Sequence, residues 1–290
     1  MAKRKSPDKK PFEQLTITDN YMFQAVMQDK KRVKPLLEMI LGKKIREIKI
    51  VETEKTLEAG YSSRGIRMDV YIEDDEDTVY DVEMQASRKR HLGLRFRYYQ
   101  GIIDVDIVSK GEDFNKLKKS YIIFITSYDP YGKGWYFYPF DVSCEWDRSI
   151  KMNNASYWYV LNTAGTRDAK GHEVSEEIKE MLSYMNGNEP KSDYTKMLDD
   201  AVKEIKQSEE RRREYMSIYA NAADMKELGD YRTYVRQVRV NKHHLADNIL
   251  ADTLSITMQT LNNIRAVLGL HPDWDDEDVA EEVLNMEDDE

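Results

Sequence analysis

The sequence predicts an α/β domain, a mixed sheet flanked by helices, followed by an all-helical C-terminal region. Three observations carry that expectation. Residues 66–72 and 79–85 alternate apolar and polar side chains on either side of an acidic turn, the period of two expected of paired strands. Tyr121–Ile125 is an unbroken apolar run, as a central strand covered on both faces requires. Beyond about Ser175 the strand signals stop, and charged stretches with helical periodicity take over.

The elements follow in chain order. Residues 1–15 are basic at their start and lack the apolar stretch of a secretory signal, so they read as a disordered arm. Thr18–Leu41 carries two helical periods broken near Pro35, with Thr16 or Thr18 as the first cap. Ile45–Val51 alternates and reads as a strand ahead of the hairpin. Arg88–Ser109 reads as a helix closed by Lys110 and Gly111. After the apolar run come two strands toward an edge, Trp135–Phe140 and Tyr157–Leu161. Charged amphipathic helices are expected at Glu176–Met185, Tyr194–Lys206 and Glu209–Asp224, with helical texture continuing to Leu270. The clearest break is Asn186–Pro190. The expected organisation is therefore an arm (1–15), a core (16–186), a helical region (187–272) and an acidic tail (273–290).

Composition excludes several function classes. The single cysteine, Cys144, rules out an internal disulfide and a cysteine zinc site, which suits a cytoplasmic protein. No apolar run is long enough to span a bilayer. The five histidines lack metal-ligand spacing, and no phosphate-binding glycine loop, dinucleotide fingerprint or nucleophile elbow occurs. The net charge of −10 is concentrated: residues 271–290 hold 11 acidic and no basic side chains, leaving the remainder close to neutral. Arg88–Ser120 is basic, with nine Lys or Arg against four acids.

In the hairpin, Ile66, Met68, Val70 and Ile72 are expected on one face and Arg67, Asp69 and Tyr71 on the other. Likewise Tyr80, Val82 and Met84 oppose Asp81, Glu83 and Gln85. Pairing the two strands gathers Asp69, Asp81, Glu83 and Gln85 on one side. Carboxylates on adjacent strands repel unless a positive charge lies between them, and a divalent metal ion is the usual answer. A solvated polar face explains the same alternation. Glu83, however, lies in mid-strand among aliphatic and aromatic neighbours. A basic stretch beside a carboxylate cluster also suits a polyanion held while a metal acts on it. A solvated helix face fits that basic stretch equally.

The order of these motifs resembles the PD-(D/E)XK nuclease superfamily, and within it the Rpn family of recombination-promoting nucleases and transposase-like proteins. The resemblance rests on Thr18–Phe23, Arg67–Val70, Val82–Gln85, Arg95–Gln100, Gly111–Leu117 and Tyr121–Ile125, and more loosely on Leu161–Thr163 and Leu182–Tyr184. It implies a restriction-endonuclease-like sheet. By motif position, Asp69 and Glu83 would be direct Mg²⁺ ligands, with Mn²⁺ as a substitute and the Met84 carbonyl as a third ligand. Gln85 stands where the superfamily usually has lysine; it can orient water but supplies no positive charge. Asp19, Asp81 and Gln100 form a second tier: a first-helix acid, an assisting carboxylate and a polar group on the following helix. The bland readings are a helix cap, a solvated carboxylate and a surface amide. Arg95 and Arg97, with Arg88 and Lys89, are the expected DNA phosphate contacts, because guanidinium forks match phosphate oxygens.

At the C-terminal end, His244–Ala251, a turn at Leu254–Ser255 and Thr257–Leu268 could form a helix-turn-helix exposing Gln259, Asn262, Asn263 and Arg265. A plain helical bundle, or a homo-oligomer built through the C-terminal helices, explains the same pattern. The sequence thus leads to a metal-dependent DNA endonuclease associated with recombination or mobile DNA. The alternatives are a catalytically decayed DNA- or protein-binding module that works through its helical region, and a nuclease restrained by its own acidic tail.

Overall fold

In the computed structural model, six strands among the described residues form one mixed sheet in the order β1-β2-β3-β4-β6-β5. They are β1 (Ile48–Leu57), β2 (Ile66–Asp74), β3 (Val79–Gln85), β4 (Ser120–Thr126), β5 (Phe137–Phe140) and β6 (Ser156–Asn162). The structure describes residues 10–57, 66–88, 91–108, 113–241 and 245–288, with the backbone alone at 219–226 and 288. The first unit of the chain is Lys10–Arg211 and the second comprises Arg212–Glu290.

β3, β4 and β6 run parallel, with Glu83 level with Phe124 and Val160, while β1, β2 and β5 pair antiparallel at the flanks. Every residue of β3 and β4 is buried, as the apolar run of β4 predicts. The hairpin is a departure. Its polar face is covered as well, and Ile66 and Met68 join the same buried cluster as Tyr71, so the simple two-face alternation does not hold along β2. Both outcomes follow from helices lying on each side of the sheet.

One face receives α3 (Leu92–Ile107), whose Leu92, Phe96, Tyr99 and Ile103 pack on Ile122, Phe124 and Val160. The other face receives α1 (Asn20–Met27), backed by α2 (Lys30–Leu41), α4 (Glu176–Met185) and α5 (Asp193–Gln207). α1 and α2 separate at Asp29, whose side chain caps Lys31 N–H at 2.8 Å; α2 runs through Pro35 unbroken. α5 belongs to this unit, with the Tyr194 hydroxyl donating to the Arg32 carbonyl at 3.0 Å. The division of the chain therefore falls at Arg211 rather than at residue 186. The expected Lys110–Gly111 helix stop lies outside the described residues, as do residues 1–9 of the arm.

The second unit holds most of α6 (Glu209–Val240), α7 (Asp247–Leu254), α8 (Met258–Leu270) and α9 (Asp276–Asp288). Its core joins Tyr231, Val235, Leu250, Leu261, Ile264, Val279 and Val283. Two expectations are corrected here. Residues 276–288 are a packed helix rather than a loose acidic tail, because Val279, Ala280 and Val283 form a buried stripe. Asp275 caps its start through the N–H groups of Glu277 and Asp278, and the acids of the first turn suit the helix dipole. In α8, Gln259 and Asn262 are exposed as expected, but Asn263 is buried and Arg265 pairs with Asp247 at 2.5 Å. No helix among the described residues is long and apolar enough to cross a membrane.

Candidate metal centre

The centre forms where the hairpin ladder gives out. Backbone partners between β2 and β3 run from Glu73 opposite Val79 to Val70 opposite Val82. Beyond that point side chains take over. The Asp69 N–H donates to Glu83 Oε1 at 3.1 Å, and the Met84 N–H donates to Asp69 Oδ2 at 3.0 Å. Each carboxylate thus closes a backbone donor of the opposite strand, which satisfies the ladder without a continuous pairing.

Both helical layers reach this point. From α1, Gln24 Nε2 donates to Asp69 Oδ1 at 3.0 Å. From α3, Arg95 donates to Gln85 Oε1 at 2.5 Å and to Glu83 Oε2 at 3.3 Å, with the Tyr99 hydroxyl 3.0 Å away. Gln85 Nε2 is directed at Glu83 Oε2 (3.4 Å) and the Met84 carbonyl (3.3 Å). Asp69 is 5% exposed, Glu83 2%, and Asp81 not at all.

Such burial disfavours the charged form. Desolvation, followed by the Asp69 charge, pushes the Glu83 carboxyl up to about 8. Desolvation also raises Asp69, against the opposing hydrogen bonds from Met84 and Gln24. Asp81 is raised well above the usual carboxylate range by burial first and then by its two acidic neighbours. Among the described residues neither Asp81 oxygen has a hydrogen-bond partner.

These features fit a divalent ion. The donors of Asp69 and Glu83 are hard oxygens, and Asp81, two residues along β3 from Glu83, is a buried carboxylate whose orphaned oxygens lack a positive partner. Among the described residues no three His, Cys, Asp or Glu side chains converge as a finished ligand set.

The other expected site residues are placed as follows. Arg95 is not held out toward solvent but bridges Glu83 and Gln85. Arg88 and Arg97 are exposed, and Lys89 lies outside the described residues. The Asp19 carboxylate is taken up by Lys10 (2.6 Å) and by the N–H of Thr16 (2.6 Å), ahead of α1. Gln100 bonds Asp104, Ser120, Ser156 and Trp158. Ser120 opens β4, four residues and about 13 Å of strand from the level of Glu83. Gln100 therefore ties α3 to the far ends of β4 and β6. Sequence reasoning missed Gln24 and Tyr99; the signal for Gln24 was a lone amide inside the apolar stretch Met22–Met27.

Residues 19–138 match the family model described as PD-(D/E)XK nuclease family transposase. The match contains every residue of the centre and ends within β5. It bears out the resemblance read from sequence, and the mixed sheet flanked by helices is the restriction-endonuclease-like fold that resemblance implied. The match supports a nuclease-like function associated with mobile DNA for residues 19–138. No curated protein and no solved structure matches the chain.

Proposed function

We propose that this protein hydrolyses DNA phosphodiester bonds with a divalent ion, Mg²⁺ or Mn²⁺ in its place, held by Asp69, Glu83 and the Met84 carbonyl. The observation that supports it most is the adjacent burial of Asp69 and Glu83 where the hairpin ladder ends. Two carboxylates kept so close and so dry are costly unless a cation belongs between them. The ion would activate water as the nucleophile and offset charge developing on phosphate.

The chain's own groups account for the rest. Gln24 holds Asp69 from α1, and the reciprocal backbone bonds hold the two acids in one orientation. Arg95 fixes the Gln85 amide so that its NH₂ points toward Glu83, where it can orient a water. Arg95 also brings the positive charge that Gln85 lacks in place of lysine, and its guanidinium can share a phosphate oxygen. Arg88, which is exposed, would hold the DNA backbone beside the centre.

The test is supercoiled plasmid incubated with purified protein and Mg²⁺, Mn²⁺ or chelator. Nicking or linearisation should require the metal and disappear in Asp69→Ala and Glu83→Ala. Cleavage that survives chelator and both substitutions overturns the assignment. Absence of cleavage under every condition leaves a DNA- or protein-binding module working through its helical region.

A further inference from the structure

We propose that the outer face of α3 is a two-fold interface between two copies of this chain. While one side of α3 is buried on the sheet, Leu94 (54% exposed), Gly101 and Val105 (56%) follow each other at helical spacing on the other side. This is an apolar stripe on the surface of a helix that already has a full inner core.

Two independent observations point to a second copy as the occupant. The first is glycine. Among the described residues a Cβ added at Gly93 or at Gly101 would meet nothing within 4 Å, so their packing has no need of either glycine. A glycine in a helix interior costs roughly 0.5–1 kcal/mol relative to alanine. Close approach of another backbone gives Gly101 a reason to be there.

The second is charge. Arg97 and Asp104 lie two helical turns apart on the same flank of the stripe. Neither makes an ion pair among the described residues, and the Asp104 carboxylate accepts only from Gln100. In an antiparallel pair of α3 helices with the two-fold near Gly101, each Arg97 falls opposite the other copy's Asp104. A face with its cation in one half and its anion in the other is complementary to itself, as an isologous interface requires. Nucleic acid is a poor occupant of the stripe, since phosphate gains nothing from Leu94 and Val105 and is repelled by Asp104.

A 16-residue helix is about 24 Å long, and a pair of such helices buries less than a standard interface of ~1,200–2,000 Å². The association is therefore a weak one that protein concentration controls. The proposal does not depend on the metal centre.

Sedimentation velocity of the full chain without DNA, at about 1 to 100 µM, tests it. The mass should climb from 34.1 kDa toward twice that value. Arg97→Asp or Asp104→Arg alone should weaken association by about tenfold, with the two together recovering to within about threefold. Gly101→Leu should abolish association while the melting temperature holds or rises, because the added side chain meets open space and favours helix. A monomer at every concentration overturns the proposal, as does association unmoved by the single reversals or not restored by the pair.

Discussion

The guanidinium of Arg95 lies 3.3 Å from Glu83 Oε2 and donates at 2.5 Å to Gln85 Oε1, so one α3 side chain binds both Glu83 and Gln85 of β3. The strand that lacks a lysine is thereby supplied with a cation from the neighbouring helix. Arg95 is held in turn by its contact with Tyr99 and by the Phe124 ring, 4.9 Å from its guanidinium carbon. Arg95→Ala should lower cleavage by about 10²–10³-fold, in the range of losing one preorganised electrostatic group. Arg95→Lys should recover only part of it, because an ammonium cannot span Glu83 and Gln85 as a planar fork does. Full activity in Arg95→Ala would remove Arg95 from the proposed mechanism.

Gln24 offers a separate handle on Asp69. Gln24→Leu keeps the side-chain volume but leaves Asp69 Oδ1 without its donor. Metal affinity should drop about 10–100-fold, as when an outer-shell partner is lost. Calorimetric titration with Mn²⁺ checks this, and equal affinities for the two proteins would refute it.

Gln100 should behave in the opposite way. Its amide joins α3 to Ser120 and Ser156, so Gln100→Ala should cost about 1–3 kcal/mol of stability through unpaired groups. Mn²⁺ affinity should stay unchanged. Urea unfolding combined with the same titration separates the two effects.

Glu180 gives the first unit an acid-sensitive joint. It accepts from the N–H groups of Lys191 (2.7 Å) and Ser192 (3.1 Å) and from the Thr195 hydroxyl (2.8 Å), and also from the Ser192 hydroxyl. Desolvation alone would raise its carboxyl, but these bonds win and hold it below the ordinary 4.5. A folded-state value below the unfolded one means stability that is present above 4.5 and lost as pH falls through the folded value. Glu180→Gln should therefore destabilise the protein at neutral pH, with a gap to wild type that narrows toward pH 3. Thermal melts of both proteins across that range decide it.

In the second unit, Val283→Ala should cost roughly 1–3 kcal/mol, because Val283 is fully buried in its core. Removing residues 273–290 should expose that core rather than merely strip charge. Charge effects on DNA binding are better read from Glu281→Gln with Glu282→Gln, both exposed. If the truncated chain melts like the full one, α9 does not hold the unit together.

The sequence by itself determined the sheet strands, the hairpin and the two carboxylates, because these depend on local periodicity and on residue types that are expensive to bury. Asp69 and Glu83 were legible since charge inside an apolar strand needs a reason. Tertiary structure decided what those strands face. Nothing local to Arg95 distinguishes a side chain directed at solvent phosphate from one directed at Glu83; the packing angle of α3 on β3 and β4 makes that choice. Gln100 was misplaced for the same reason, since its partners Ser120 and Ser156 are brought to it by strand register. The acidic end read as a tail because its charge masks a short stripe, Val279, Ala280 and Val283. That stripe is too small to form a helix on its own and becomes one only when α6, α7 and α8 supply a core for it to cover.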